Sequence, residues 1–136
     1  MSRNYHWVYD PKPRKNALNA PQKAAALTRA EDFVENHLRR NCIQAPPGHG
    51  TFPVNYVVDF SVKWHGAYLV FIAKYASPYP DAEEPFFETR FARLGCSAPD
   101  RFSLWVLRHN DKWMELPRVN GTLQECLEDM RTSSWF

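Results

Sequence analysis

Residues 56–75, which read YVVDFSVKWHGAYLVFIAKY, decide the fold. Alternate residues from 56 to 64 are apolar or aromatic, the period-two pattern of a β-strand with one buried face. The dipeptide His65-Gly66 predicts a two-residue turn, and residues 67–75 return as a second strand. The sequence therefore predicts an antiparallel hairpin at the centre of the chain.

A turn at His65-Gly66 also predicts the register of that hairpin. On one face every pair joins two apolar or aromatic residues: Trp64 with Ala67, Val62 with Leu69, Phe60 with Phe71, Val58 with Ala73 and Tyr56 with Tyr75. A slip of one residue would destroy this match, because it moves every side chain to the other face.

The opposite face of the hairpin carries an apolar stripe of Tyr68, Val70 and Ile72. An apolar stripe on a sheet surface needs a cover. The N-terminal arm, a helix or a second copy of the chain could provide it. The three residues are therefore candidates for a dimer or partner interface.

Two helices flank the predicted sheet. Asn19 and Gln22 have the spacing of a capping box, with Pro21 in the first turn, and apolar residues recur at helical spacing as far as Leu38. Near the C-terminus, Thr122 begins a second capping box with an apolar helix face behind it. These signals predict one helix before the sheet and a short one after it.

Three further strands complete the sheet. Residues 86–94 and 102–109 are predicted as strands three and four, and a tight turn at Asn110-Asp111 leads into a fifth strand, residues 112–116. We predict an α+β fold: an N-terminal helix, an antiparallel sheet of about five strands with two tight hairpins, and a short C-terminal helix. Both helices are expected on one face of the sheet.

Composition indicates one small intracellular domain. The chain has 136 residues, 44 % of them hydrophobic and 24 % charged, as in globular proteins. Residues 1–19 read as an irregular basic and aromatic arm, and residues 20–136 as a single α+β domain. No secretory signal and no apolar run of roughly 18 residues is present, so we expect a cytoplasmic protein away from the membrane. The three cysteines form no C-x-x-C pair and are expected to be free.

No sequence motif specifies a reaction, so we predict no catalytic residue, no metal site and no cofactor. Glu88, Arg90, Arg93 and Arg108 are the candidate ligand-binding residues. A carboxylate held between guanidinium groups could bind phosphate or position a water. An ordinary ion pair on a solvated face is the competing interpretation.

A second set combines basic and aromatic residues on the strands, as single-stranded nucleic-acid binders do. It consists of Arg90, Arg93, Arg108 and Lys112 with Tyr68, Trp105 and Trp113. The turn at Asn110-Asp111 places Arg108 opposite Trp113 and Trp105 opposite Leu116. The two indoles then lie on opposite faces and cannot form one stacking platform, which counts against nucleic acid. The formal charge of +2 is also too small to indicate such a partner.

Short motifs from about residue 30 onward resemble a bacterial family classed as a domain of unknown function. The matching stretches are the double proline Pro46-Pro47, the aromatic strand at 104–107, the R-x-x-D-K-W motif at 108–113 and the helix start at 123–127. Residues 114–116 depart from the more aromatic continuation of that family. The resemblance implies the same helix–sheet–helix order and supplies no activity.

The sequence as a whole favours a non-catalytic intracellular binding or interaction domain, with a homodimer or a protein partner on the stripe of Tyr68, Val70 and Ile72. The alternative is a phosphate-handling enzyme or a nucleic-acid-binding protein that uses the clustered arginines.

Overall fold

A computed structural model describes residues 17–48, 54–79 and 83–132, with residues 117–120 described by their backbone alone. The chain has the predicted α+β fold. Its elements, in order, are α1 (Ala20–Phe33), a π-helical turn (Val34–Leu38), α2 (Arg39–Asn41), β1 (Tyr56–His65), β2 (Tyr68–Ala76), β3 (Phe86–Ala98), β4 (Arg101–Leu107), β5 (Trp113–Gly121) and α3 (Leu123–Thr132). Apart from its last residues, the predicted arm of residues 1–19 lies outside the described residues.

The five strands form one antiparallel meander in the order β1-β2-β3-β4-β5. Helices α1 and α3 pack on the same face of this sheet. The core between the two layers contains the largest fully buried side chains, which are Phe71, Leu38, Leu69, Leu94, Leu104, Met130, Cys96 and Cys126. The opposite surface of the sheet, which carries neither α1 nor α3, is called the helix-free face below.

Both predicted capping boxes are present. Asn19 Oδ1 accepts from the Gln22 backbone nitrogen at 2.9 Å, and Gln22 Oε1 accepts from the Asn19 nitrogen. Thr122 and Glu125 exchange the same two bonds at the start of α3. Four otherwise unsatisfied backbone donors are thereby paired.

The π-helical turn keeps one side of the first helix in the core. Ala26, Ala30, Val34 and Leu38 are all buried, although each step of four residues rotates an α-helix by roughly 40° beyond a full turn. The wider turn, in which the Arg39 nitrogen donates to the Val34 carbonyl, offsets part of that drift. Leu38 therefore stays in the core after three such steps.

The first hairpin turns one position later than predicted. His65 pairs with Tyr68 around Gly66, so Trp64 lies opposite Leu69 and Val62 opposite Phe71. The predicted partners of Trp64, Val62 and Phe60 are therefore wrong by two residues, but a shift of two leaves these side chains on their predicted face. The stripe of Tyr68, Val70 and Ile72 accordingly lies on the helix-free face.

A β-bulge in β1 changes which residues at the start of this strand face the core. The register shifts between Val57 and Asp59, and Val57 is buried in the core at 7 % exposure. The strict alternation had placed Tyr56 and Val58 on the core face instead. An extra residue in one strand moves the following side chains to the other face, which alternation alone cannot anticipate.

The second hairpin differs from prediction by one residue. The Arg108 nitrogen donates to the Lys112 carbonyl at 2.9 Å, with three residues between them, and Asp111 adopts a φ of 63°. Leu107, not Arg108, then pairs with Trp113, and Trp105 pairs with Glu115 rather than lying opposite Leu116. This shift of a single residue exchanges the faces of β5 relative to β4.

Candidate functional site on the helix-free face

Arg93 lies at the centre of the helix-free face. The register sets up a lateral row of Lys63, Val70, Arg93, Trp105 and Glu115, one residue from each strand. Their neighbours within each strand point to the core, as the buried side chains of Val62, Leu69, Ala92, Leu104 and Leu116 demonstrate. The centre of this face is therefore a guanidinium next to an indole.

Three aromatic rings surround the Arg93 guanidinium. Its Cζ atom lies 3.8 Å from the ring centre of Tyr68, 4.4 Å from that of Trp113 and 4.9 Å from that of Trp105. Each of these distances is within the range of a cation–π interaction. Tyr68, Trp105 and Trp113 are called the aromatic cage below.

The rings of the cage are held in place by contacts with each other and with the strands. Tyr68 and Trp105 meet edge to face, with ring centres 6.1 Å apart and planes at 88°, a favourable arrangement for aromatic quadrupoles. Trp105 Nε1 donates a hydrogen bond to Ser103 Oγ at 3.0 Å. These contacts fix Trp105 relative to Tyr68 and to β4.

Among the described residues, no acidic side chain forms an ion pair with Arg93. Its buried Nε has no hydrogen-bond partner in this part of the chain. Burial lowers the pKa of Arg93, and nearby Arg90 lowers it further, while Tyr68 acts in the opposite direction. An arginine stays protonated despite such shifts. The cage therefore holds a cation with hydrogen-bonding capacity left over.

The predicted ligand-binding residues do not form one site. Glu88, Arg90 and Arg93 project from β3 on the helix-free face, opposite Lys74, Ile72 and Val70 respectively. Arg108 lies in the exposed β4–β5 turn. Glu88 and Arg93 are five residues apart along the strand, a separation of roughly 15 Å. Along β3 the order on this face is Glu88, Arg90 and Arg93, so the carboxylate lies at one end of the series rather than between the guanidinium groups.

The predicted interface stripe lies on the same face as the cage. Val70 is 2 % exposed and Ile72 6 % exposed, whereas Tyr68 is partly exposed as a wall of the cage. The two aliphatic residues thus offer little area to a partner. The accessible area of this part of the surface belongs mainly to the polar and aromatic side chains around them.

The prediction that Trp105 and Trp113 lie on opposite faces of the sheet is wrong. Both indoles contact Arg93. One signal could have identified this: in β4 the apolar positions Phe102, Leu104 and Val106 are buried together, which leaves Trp105 for the other face. The basic and aromatic residues rejected as a platform therefore include three rings on one surface.

Several concave features lie away from the cage. A polar groove of about 500 Å³ separates α3 from the π-helical turn and is lined in part by His37, whose ring centre lies 5.2 Å from that of Phe33. An apolar cavity of about 230 Å³ lies beside Cys42 and Phe60. Across the described ranges, no group of three or more His, Cys, Asp or Glu side chains is placed to bind a metal.

The cysteines are free, as predicted. Cys96 and Cys126 are buried, whereas Cys42 is half-buried. Burial raises the pKa of the Cys126 thiol to about 12, and Asp129 and Glu125 act in the same direction. The Cys126 thiol approaches the Phe102 carbonyl at 3.6 Å, so it links α3 to β4.

Comparison with known proteins gives a family and no activity. No curated protein and no solved structure matches the chain. Of the described helices, none is long and apolar enough to cross a membrane. The profile of a family described as a domain of unknown function (DUF3024) matches residues 18–135, which include the whole sheet and both flanking helices. The chain belongs to this DUF3024 family.

Proposed function

We propose that this chain is a non-catalytic binding domain, and that its partner places an anionic group against Arg93 on the helix-free face. The observation that carries the proposal is the Arg93 guanidinium in the aromatic cage, which has no ion pair among the described residues. Arg93 is only partly buried, so a phosphate or carboxylate could accept charge-assisted hydrogen bonds from the exposed part of its guanidinium.

The surroundings of Arg93 support an anionic partner. Lys63 lies on the far side of Val70 in the same lateral row, and Arg90 is the next residue of β3 on this face. Lys63 and Arg90 are both exposed. Like charges at this spacing repel one another, so an anion between them is stabilised by all three cations.

A phosphate-handling enzyme is less well supported. Such an enzyme needs a general base or nucleophile near the bound phosphate. Glu88 lies two lateral rows from Arg93 and opposite Lys74, too far to act on a group held in the cage.

A second copy of the chain, bound as a homodimer, is the competing occupant of the helix-free face. Phe86, on the same face, is 52 % exposed and could contact a second copy. Two such faces would, however, bring the cations of one copy against those of the other. Sedimentation velocity of the free protein distinguishes the two proposals, because only the homodimer predicts a mass that rises with concentration.

Inorganic tripolyphosphate is a suitable probe for the anion site. We expect it to shift the Arg93 Nε–Hε signal in ¹H–¹⁵N NMR spectra and to change tryptophan fluorescence. Arg93→Met keeps an apolar side chain against the rings but removes the charge. It should weaken the affinity for tripolyphosphate, measured by tryptophan fluorescence, at least tenfold. Arg29→Met, on exposed α1, is the matched control and should bind as the wild type does.

The proposal fails if Arg93→Met and the wild type bind tripolyphosphate equally, or if the shifted signals map to α1 and α3. It also fails if Arg29→Met loses binding to the same extent, because the response would then follow overall charge.

A further inference from the structure

We infer that the anionic partner is a single-stranded nucleic acid, with phosphates next to Arg93 and bases against the aromatic cage. This inference rests on the proposed function above. It goes further because it assigns a role to the rings as well as to the charge.

The first observation is the combination of groups on one surface. Tyr68, Trp105 and Trp113 come from three strands and meet around one guanidinium. Single-strand binders combine cations that follow the backbone with rings that stack on bases, and arginine contributes to both. A simple phosphate or carboxylate site would need the guanidinium but not three rings.

The second observation is the distribution of charge. Four cationic side chains project from β1, β2 and β3 on this face: Lys63, Lys74, Arg90 and Arg93. Of the acidic residues there, Asp59 is already bound to Arg39, Glu88 lies at the end of the sheet away from the cage, and Glu115 lies beside Trp105 on β5. The surface is thus basic on the side of the cage formed by β1, β2 and β3, which complements a phosphate backbone.

The third observation concerns shape. The cage lies at the centre of an antiparallel sheet, between Lys63 on one side and Glu115 on the other. A sheet surface of this kind can accommodate unstacked bases, about two or three at a time, as the ring-bearing sheets of RNA-binding domains do. An undistorted B-form duplex presents its base edges in a major groove that admits a helix or a two-stranded ribbon, which a five-stranded sheet face does not match.

The test compares a 12-nucleotide oligouridylate with a duplex of the same length and with polyglutamate, by fluorescence anisotropy at several salt concentrations. We expect the single strand to bind at least tenfold more tightly than either competitor. Its log affinity should fall with log salt at a slope of about −2, since each of Lys63, Arg90 and Arg93 contributes about −0.7.

Two variants separate stacking from charge. Trp113→Leu should weaken oligouridylate binding about tenfold or more and leave the salt slope unchanged, because it removes a ring and no charge. Lys63→Gln should make the slope shallower by about 0.7. The matched control for the ring is Phe87→Leu, an exposed aromatic on the other face of the sheet, which should bind as the wild type does. Circular dichroism checks that each variant is folded.

The outcomes separate the two proposals. Tripolyphosphate binding at Arg93 without oligouridylate binding overturns the inference and leaves the anion site standing. Loss of both overturns both. Equal binding of polyglutamate and oligouridylate, or a Trp113→Leu variant with wild-type affinity, also overturns the inference, because the rings would then have no part in recognition.

Discussion

Arg39 Nε donates a hydrogen bond to Asp59 Oδ1 at 2.8 Å, so the residue that follows the π-helical turn is tied to the edge strand β1. The same guanidinium reaches Glu35 and the Phe60 carbonyl. One side chain thus joins the helical layer to β1 at two acceptors and also bonds to Glu35 within its own helix, which gives it more influence than an isolated surface ion pair.

The Asp59 carboxylate should contribute stability that depends on pH. Burial opposes its ionisation, but bonds from the Phe60 nitrogen and Arg39 outweigh burial and hold the Asp59 pKa below its ordinary value. A lowered pKa stabilises the fold above the unfolded-state pKa, and this contribution is lost as pH falls through the folded-state pKa. Asp59→Asn should therefore cost about 0.5–1 kcal/mol at neutral pH, since the pair is half exposed.

Urea denaturation at pH 7 and below pH 3 measures this difference. The gap between Asp59→Asn and wild type should close at the lower pH. Asp32→Asn on α1, an exposed residue without an ion pair in the described chain, is the control. A gap that persists at low pH would assign the effect to packing rather than charge.

The three thiols should differ in reactivity. Burial raises the pKa of both Cys96 and Cys126, the latter to about 12, and only a thiolate attacks a thiol reagent. At pH 8 we expect rapid labelling of Cys42 and labelling of the other two at the rate of unfolding. A Cys42→Ser variant should lose the rapid phase entirely, as mass spectrometry of timed samples can establish. A rapid phase in that variant would contradict the described burial.

The second hairpin depends on a left-handed residue. Asp111 has a φ of 63°, a conformation that costs most L-residues about 1–2 kcal/mol. Asp111→Gly should be at least as stable as wild type, and Asp111→Val should lose about 1–2 kcal/mol because a β-branched side chain is excluded there. Urea midpoints measure both changes. His109→Val in the same exposed turn is the control, and an equal loss there would rule out the conformational explanation.

Gly121 should resist substitution for two reasons. Its φ is 154°, and a Cβ atom would lie 2.5 Å from Glu125 Oε1, the atom that caps the Thr122 nitrogen. Gly121→Ala should therefore cost about 1–2 kcal/mol through strain and loss of the cap.

In a Glu125→Ala background the cost of Gly121→Ala should be smaller, because the cap is already gone. Gly66→Ala is the comparison: it has a φ of 62° and open space around it. Additive losses in the double variant would contradict the steric account.

The fold was predictable because its signals are local. The capping boxes at Asn19 and Thr122 depend only on residues three positions apart. The alternation in β1 and β2 assigned Phe60, Val62 and Leu69 to the buried face without knowledge of their partners. Such patterns identify elements and faces, which is enough for the fold class.

The candidate site was not predictable because it depends on register. Alternation cannot distinguish registers that differ by two residues, and it says nothing about a bulge such as the one between Phe71 and Ile72. The faces of β5 rested on the length of one turn, where a single additional residue brought Trp113 to the side of Arg93. Errors of one residue are harmless to fold class and decisive for a binding surface.

The strand order has a consequence for how quickly the chain reaches its native state. Every strand of the meander pairs with its neighbour in sequence, so no pairing has to wait for a distant segment to return. Sheets with such local connections lose less loop-closure entropy before their contacts form. We expect folding toward the fast end of the range for sheet proteins, with each hairpin able to form before the helices dock.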